Sequence, residues 1–270
     1  MRLHTYAIID SSDQVDEPIY GLEGARVYNV PYCDMGAIVS ELGAGSIQDI
    51  AEQGILAHED VTEKLMERFT VLPVRFNTIY DGTEGVLAMM QSYYRDFRDN
   101  LDRLSNKVEF GIKVIWPSDR IRESIVNARK KSDKKTTVPT DSPNRKFMRD
   151  KFEQYRLSEE LENRADKFIN IMDMFFSKFA AEKKLKKLRT EDLLLDAVYL
   201  VEKDKQGDFK EAFEHIKSAH AGFKFLFSGP WPPYNFVDLT KNTDSLEDSP
   251  QRDLFDILIQ DRELVGTDKI

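Results

Sequence analysis

The sequence predicts an α+β fold in two domains, the second a modified ferredoxin-like domain with a long helix, followed by a C-terminal tail. Three observations predict it. Val108, Phe110, Ile112, Val114 and Trp116 alternate with Glu109, Gly111 and Lys113, the period of a half-buried strand. Leu161, Ala165, Phe168, Met172, Phe175 and Phe179 recur in alternating four- and three-residue steps, the spacing of a helix that packs along a seam. The 270 residues suggest two domains, at about 150 residues per domain. The expected boundaries are 1–105, 106–235 and, for the tail, 236–270.

Leu3 to Ile9 and Ala25 to Pro31 are β-rich stretches separated by a polar loop and by Gly21 and Gly24, and they read as strands. Met35 to Leu42 fits a strand or a short helix, because an apolar run of this length does not declare its period. Ser46 and Asp49 resemble a helix start, and Ala57, Val61 and Leu65 return at helical spacing up to about Arg68. Leu72, Val74, Phe76 and Thr78 then alternate with Pro73, Arg75 and Asn77, predicting a strand with Pro73 near a sheet edge or at the strand's own beginning. After the Asp81-Gly82 turn, with Thr83 as a candidate cap, Val86, Met90, Tyr93, Phe97, Leu101 and Leu104 trace one helix of about 20 residues.

Past the Val108–Trp116 strand, Arg129, Lys130, Lys131, Lys134 and Lys135 lie among Ser, Thr, Asp and Pro residues and read as a solvated linker. The seam predicts a helix from about Arg145 to Lys187. It packs on a neighbouring element or pairs with a second copy as a coiled coil. Leu193 to Val201 suits a buried strand, and Phe209, Ala212, Phe213 and Ile216 mark one helical face. Phe223, Phe225 and Phe227 predict a last strand that stops at Gly229-Pro230. Strand, long helix, strand, helix, strand is the order behind the ferredoxin-like expectation. Gly229-Pro230-Trp231-Pro232-Pro233-Tyr234 should cross the surface in an extended or polyproline conformation. In the charged tail, the apolar stretch Leu254 to Ile259 reads as a docking segment or a frayed end.

Composition narrows the function. With 39 Lys+Arg against 48 Asp+Glu, the formal charge of −9 argues against binding to nucleic acid or to anionic lipid. Cys33 is the only cysteine, so an intrachain disulfide and a multi-thiolate metal site are impossible. No apolar run reaches the roughly 18 residues of a membrane span, and a cytoplasmic, soluble protein is expected. His58-Glu59-Asp60-Val61-Thr62 begins like the zinc-protease helix motif, but Thr62 stands where the second histidine is needed. Glycine-rich phosphate loops and the Gly-x-Ser-x-Gly elbow are missing as well. No catalytic residue, metal ligand or cofactor is assigned, and Cys33 reads as an ordinary semi-buried thiol. Arg75 is a candidate for a carboxylate pair within the fold or for a partner contact. Trp231 and Tyr234, with Phe76, are candidates for the same two roles, partner contact or structural anchor.

Three stretches resemble the gas vesicle protein L/F (GvpL/GvpF) family: His58-Glu59-Asp60-Val61-Thr62-Glu63-Lys64-Leu65-Met66, Val71-Leu72-Pro73-Val74-Arg75-Phe76-Asn77-Thr78 and Gly229-Pro230-Trp231-Pro232-Pro233-Tyr234-Asn235-Phe236. The family's central segment is close to Leu-Pro-Val-Arg-Phe-Gly-Thr. Asn77 replaces its glycine, and asparagine also tolerates a positive φ. The resemblance implies a non-enzymatic accessory or minor structural protein of the gas vesicle. Its partners would be the small, very apolar major shell protein and other accessory proteins, and it would limit shell-protein aggregation during nucleation. The alternative from another class is an enzyme or small-ligand-binding module on the ferredoxin-like domain. A pocket with converging polar groups and perturbed ionisable residues would favour that alternative, and an exposed apolar or aromatic patch the first reading.

Overall fold

The computed structural model describes residues 1–15, 17–43, 51–132, 143–185 and 192–239. The chain forms two compact units, one of Met1–Glu109 with the segment from Pro230, the other of Phe110–Gly229. The Trp231–Tyr234 segment therefore groups with the first unit, where the sequence reading ended the second domain at residue 235.

In the first unit, β1 (Arg2–Ile9), β2 (Tyr28–Tyr32) and β3 (Met35–Leu42) pair antiparallel in the order β2-β3-β1. Met35 to Leu42 is thus a strand. Beyond β1 the sheet continues with β4 (Val71–Pro73) and β5 (Ile79–Asp81), both antiparallel to it. The single strand expected over Leu72–Thr78 is two strands with a loop between them. Val74 N donates to Tyr6 O and Thr5 N to Thr78 O, both at 2.9 Å, so the chain leaves β1 after Val74 and returns at Thr78. Thr78 N and Oγ1 close the loop on Arg75 O, at 3.2 and 2.8 Å, and Asn77 takes φ 70°. That is the left-handed conformation asparagine accepts more readily than most residues.

Helix α1 (Ala51–Met66) packs on β1 and β4, where Val61 and Leu65 join a core with Tyr6, Ile9, Ile38 and Val71. The Ser46 and Asp49 helix start lies outside the described residues. The single helix expected over Val86–Leu104 is α2 (Gly82–Ser92) followed by α3 (Tyr94–Leu104). Tyr93, at φ −110° and ψ 15°, bends the chain while Tyr93 N still reaches Met89 O and Phe97 N reaches Tyr93 O. Thr83 is inside α2, whose N-cap position is Asp81.

In the second unit the order is β6 (Lys107–Ile115, its first residues in unit one), α4 (Ser118–Ser132), α5 (Pro143–Phe176), β7 (Ala180–Leu185), β8 (Leu193–Glu202), α6 (Gln206–Ala219) and β9 (Lys224–Trp231). The sheet runs β7-β8-β6-β9. With α4 and α5 as one crossover, this is the β-α-β-β-α-β sequence of the split βαβ motif. α5 packs on α4, α6 and β8; of the seam residues Leu161 and Met172 are buried and Ala165, Phe168, Phe175 and Phe179 half-buried, so the seam faces its own unit, with Phe176 buried beside it. Phe110 stacks on Phe209 and Phe227 with centroids 5.2 Å apart in both pairs, and Phe213 stacks on Phe227 at 4.4 Å.

Three expectations are corrected here. The long helix stops at Phe176, and Ala180–Leu185 is an edge strand hairpinned onto β8. Arg129, read as linker, is on α4 and pairs with Glu160 of α5 at 2.6 Å. Lys134 and Lys135 lie outside the described residues. Finally, β9 continues through Gly229-Pro230 to Trp231, because an edge strand tolerates the missing proline N–H.

Candidate functional site

The three stretches singled out in the sequence converge in the first unit. His58 projects from α1 between β1 and the Val74 loop: its Nε2 lies 2.9 Å from Val74 O and its Nδ1 2.9 Å from His4 Nε2. A carbonyl only accepts, so His58 carries its proton on Nε2 and its Nδ1 is an acceptor. His4 must then donate through Nε2, leaving its Nδ1 as a bare acceptor, buried and without a hydrogen-bond partner among the described residues. Phe76 packs against both imidazoles, at 5.7 and 5.8 Å, and Tyr6 stacks on His58 at 5.3 Å.

Burial dominates the ionisation of this pair. His4 is 0% and His58 2% exposed. Loss of solvent pulls the His4 pKa down to about 3, reinforced by His58 beside it. The same loss pulls His58 down to about 4, against the opposing hydrogen bond to Val74. Both rings are neutral near pH 7, and each shared nitrogen is already engaged. The pair holds α1, β1 and the Val74 loop in one hydrogen-bonded chain and is closed to a substrate.

One turn further along α1, Thr62 Oγ1 donates to Glu59 O at 2.9 Å and so accepts from the Tyr234 hydroxyl at 3.1 Å. Tyr234 belongs to a segment clamped by backbone and side chains together. Asn235 N and Nδ2 donate to the two oxygens of buried Glu109, at 2.8 and 2.5 Å. Asn100 exchanges two hydrogen bonds with the Asp238 backbone, at 2.6 and 3.0 Å, and Arg103 donates to Phe236 O. Phe236 is fully buried, worth about 2–3 kcal/mol. Pro232 and Pro233 are buried as well, which corrects the expectation of a surface crossing: the prolines pack inward because their missing donors need no solvent.

Of the sequence-predicted residues, Phe76 and Tyr234 thus enter this one cluster. Arg75 is half-buried at the start of the Val74–Thr78 loop, and Trp231 half-buried at the end of β9. Sequence reasoning missed His4, Glu109, Asn235 and Phe236. The signal available for Glu109 was its place opposite Val108 and Phe110 in a strand, but alternation assigned it to solvent.

Open clefts lie elsewhere among the described residues. One of about 340 Å³ is lined by Tyr32, Cys33, Gln91, Tyr94 and Arg95 in the first unit, and one of about 360 Å³ by Phe175, Phe179, Asp208, Glu211 and His215 in the second. Neither contains the perturbed histidines, and the shifted group in the first is Tyr94, whose exposed hydroxyl is held above the ordinary phenol range by its hydrogen bond to Asp34, at 2.9 Å. Cys33 is exposed, where the sequence suggested partial burial. Among the described residues no group of three or more His, Cys, Asp or Glu side chains is placed to hold a metal, and no helix is long and apolar enough to cross a membrane.

A family model described as gas vesicle synthesis protein GvpL/GvpF matches residues 2–238. Gas vesicle protein F2 of Halobacterium salinarum is 27% identical over 242 residues, covering 88% of this chain and 93% of that protein. Gas vesicle protein F of Haloferax mediterranei is 25% identical over 249 residues, covering 88% and 94%. The crystal structure of the gas vesicle protein GvpF from Anabaena superposes with a TM-score of 0.75 at 20% identity, covering 88% of this chain and 99% of that one.

Proposed function

The chain belongs to the GvpL/GvpF family of gas vesicle synthesis proteins, and from that membership we propose that it is a non-enzymatic assembly factor or minor component of the vesicle. It binds the major shell protein in the cytoplasm and limits its aggregation during nucleation. Other accessory proteins of the vesicle are further candidate partners. The carrying observation is the family match, which runs through both units.

Two physical arguments favour binding over the enzymatic or small-ligand alternative. Catalytic groups need perturbed ionisation where a substrate reaches them, whereas His4 and His58 are sealed inside the first unit. Apolar side chains are exposed on α5 instead, among them Phe147, Met148, Phe152 and Tyr155, as a partner surface requires. A net charge of −9 would keep a complex with an apolar subunit in solution. Phe76 and Tyr234 act in this reading as anchors of the first unit. Arg75 and Trp231, half-buried, stabilise the same region.

The test is to dilute purified shell protein out of denaturant with and without the purified chain, following light scattering and co-elution. Suppressed scattering with co-elution is expected. Unchanged scattering with no complex would reject the proposal.

A further inference from the structure

The cleft of about 340 Å³ in the first unit combines an aromatic wall with an open cation. Tyr32 and Tyr94 meet edge to face, their ring centroids 5.9 Å apart. Asp34 is taken up by the Tyr94 hydroxyl and by Arg98, both at 2.9 Å. Arg95, in the lining, has no hydrogen bond or ion pair among the described residues; Asp96 is the carboxylate of the lining. Two rings and a guanidinium suit an aromatic or apolar side chain that stands next to a carboxylate.

The chain carries such a ligand close by. Asn100 of α3 exchanges hydrogen bonds with the Asp238 backbone, which fixes where the C-terminal segment leaves the first unit. Tyr94 opens the same helix, about 9 Å along its axis from Asn100. Residues 240–253 supply up to about 45 Å of reach. Beyond them stand Leu254, Phe255, Ile257, Leu258 and Ile259, with Asp253, Asp256 and Asp261 and no Lys or Arg from 253 to 261. We propose that this stretch of the chain's own tail docks in the Tyr32–Tyr94 cleft, with Phe255 against the rings and a neighbouring aspartate on Arg95. A weak contact suffices, because a link of this length holds the segment at a roughly millimolar local concentration. A free anion would satisfy Arg95 but leave the rings bare, and the tail of a second copy would lack the tether. This docking needs no shell protein.

Cys33 lines the cleft, is exposed and is the chain's only cysteine, so its rate of reaction with a thiol reagent reads whether the cleft is covered. In the full chain, Phe255→Ser/Ile257→Ser should label about 10-fold faster than wild type, the protection that a ~0.1 mM contact gives at a roughly millimolar local concentration. Thermal melting should be unchanged, since both residues lie beyond the clamp at Tyr234–Asp238. A synthetic peptide of residues 251–262 should restore protection to the variant, and the same peptide with Asp253→Asn and Asp256→Asn should restore less. Wild-type protection should not vary with protein concentration. Equal labelling of wild type and variant overturns the docking. Protection that grows with protein concentration overturns it in favour of a second copy's tail, and equal restoration by the two peptides removes Arg95 from the site.

Discussion

Lowering the pH from 7.5 to 5.0 should destabilise the first unit through His4 and His58. Both pKa values are depressed in the fold, to about 3 and about 4, whereas the unfolded chain protonates near 6.5. Above pH 6.5 neither state binds the proton and the pair adds no pH dependence. Below it the unfolded state takes up protons that the native state refuses, so stability falls with pH until the folded values are reached. Each pH unit in that window costs about 1.4 kcal/mol per group, which makes about 2 kcal/mol per histidine at pH 5.0 and about 4 kcal/mol for the pair. That is a large share of a typical stability of 5–15 kcal/mol. The assay is urea unfolding in a Trp116→Phe background, so that Trp231, in the first unit, reports by fluorescence. His58→Gln should remove about half of the pH slope. Equal stability at pH 7.5 and 5.0, or an unchanged slope in His58→Gln, would refute the buried neutral pair.

Three further substitutions probe the same unit by urea unfolding. Asn235→Ala removes the Nδ2 donor to buried Glu109 and keeps the backbone N–H donor, and should cost about 2 kcal/mol, the value of one hydrogen bond to a charged group; a change below about 0.5 kcal/mol, on the same scale, would show that the side-chain half of the clamp is dispensable. Tyr234→Phe removes the hydroxyl that donates to Thr62 and should cost about 1 kcal/mol while leaving shell-protein binding intact. Unchanged stability with lost binding would instead make Tyr234 a partner contact. At Asn77, with φ 70°, Gly should be nearly neutral and Val should cost about 1–2 kcal/mol; equal melting of the two variants would contradict the left-handed turn.

Much of the fold was legible because period and burial agree. In β6, Val108, Phe110, Ile112 and Val114 are all buried, and α6 buries the Phe209, Ala212, Phe213 and Ile216 face read from the sequence. What escaped reading was set by tertiary context. Ala180–Leu185 is rich in helix formers, yet pairing with β8 makes it a strand. The break between α2 and α3 carries no Gly or Pro, only Tyr93 in a bridge-like conformation. Leu72 to Thr78 alternates like a strand, but its middle leaves β1 between Val74 and Thr78 in a loop closed on Arg75 O, with Asn77 left-handed.

The cluster itself was half legible. Its three stretches stood out as segments, but nothing local says that His58 meets His4 across 54 positions or that Asn235 meets Glu109 across 126. Such contacts bring together residues whose neighbours in sequence give no sign of it. A buried histidine also reads like a surface one until its partner is known, because the signature of His58 lies in the Val74 carbonyl and the His4 ring rather than in its own helix.

The most direct test of the account is deletion of this chain, together with any L/F relative, from a vesicle-forming gene set, followed by electron microscopy of the cells. The account predicts that vesicles fail to form and that they return when this chain alone is restored. Normal vesicle number and shape in the deleted cells would contradict it.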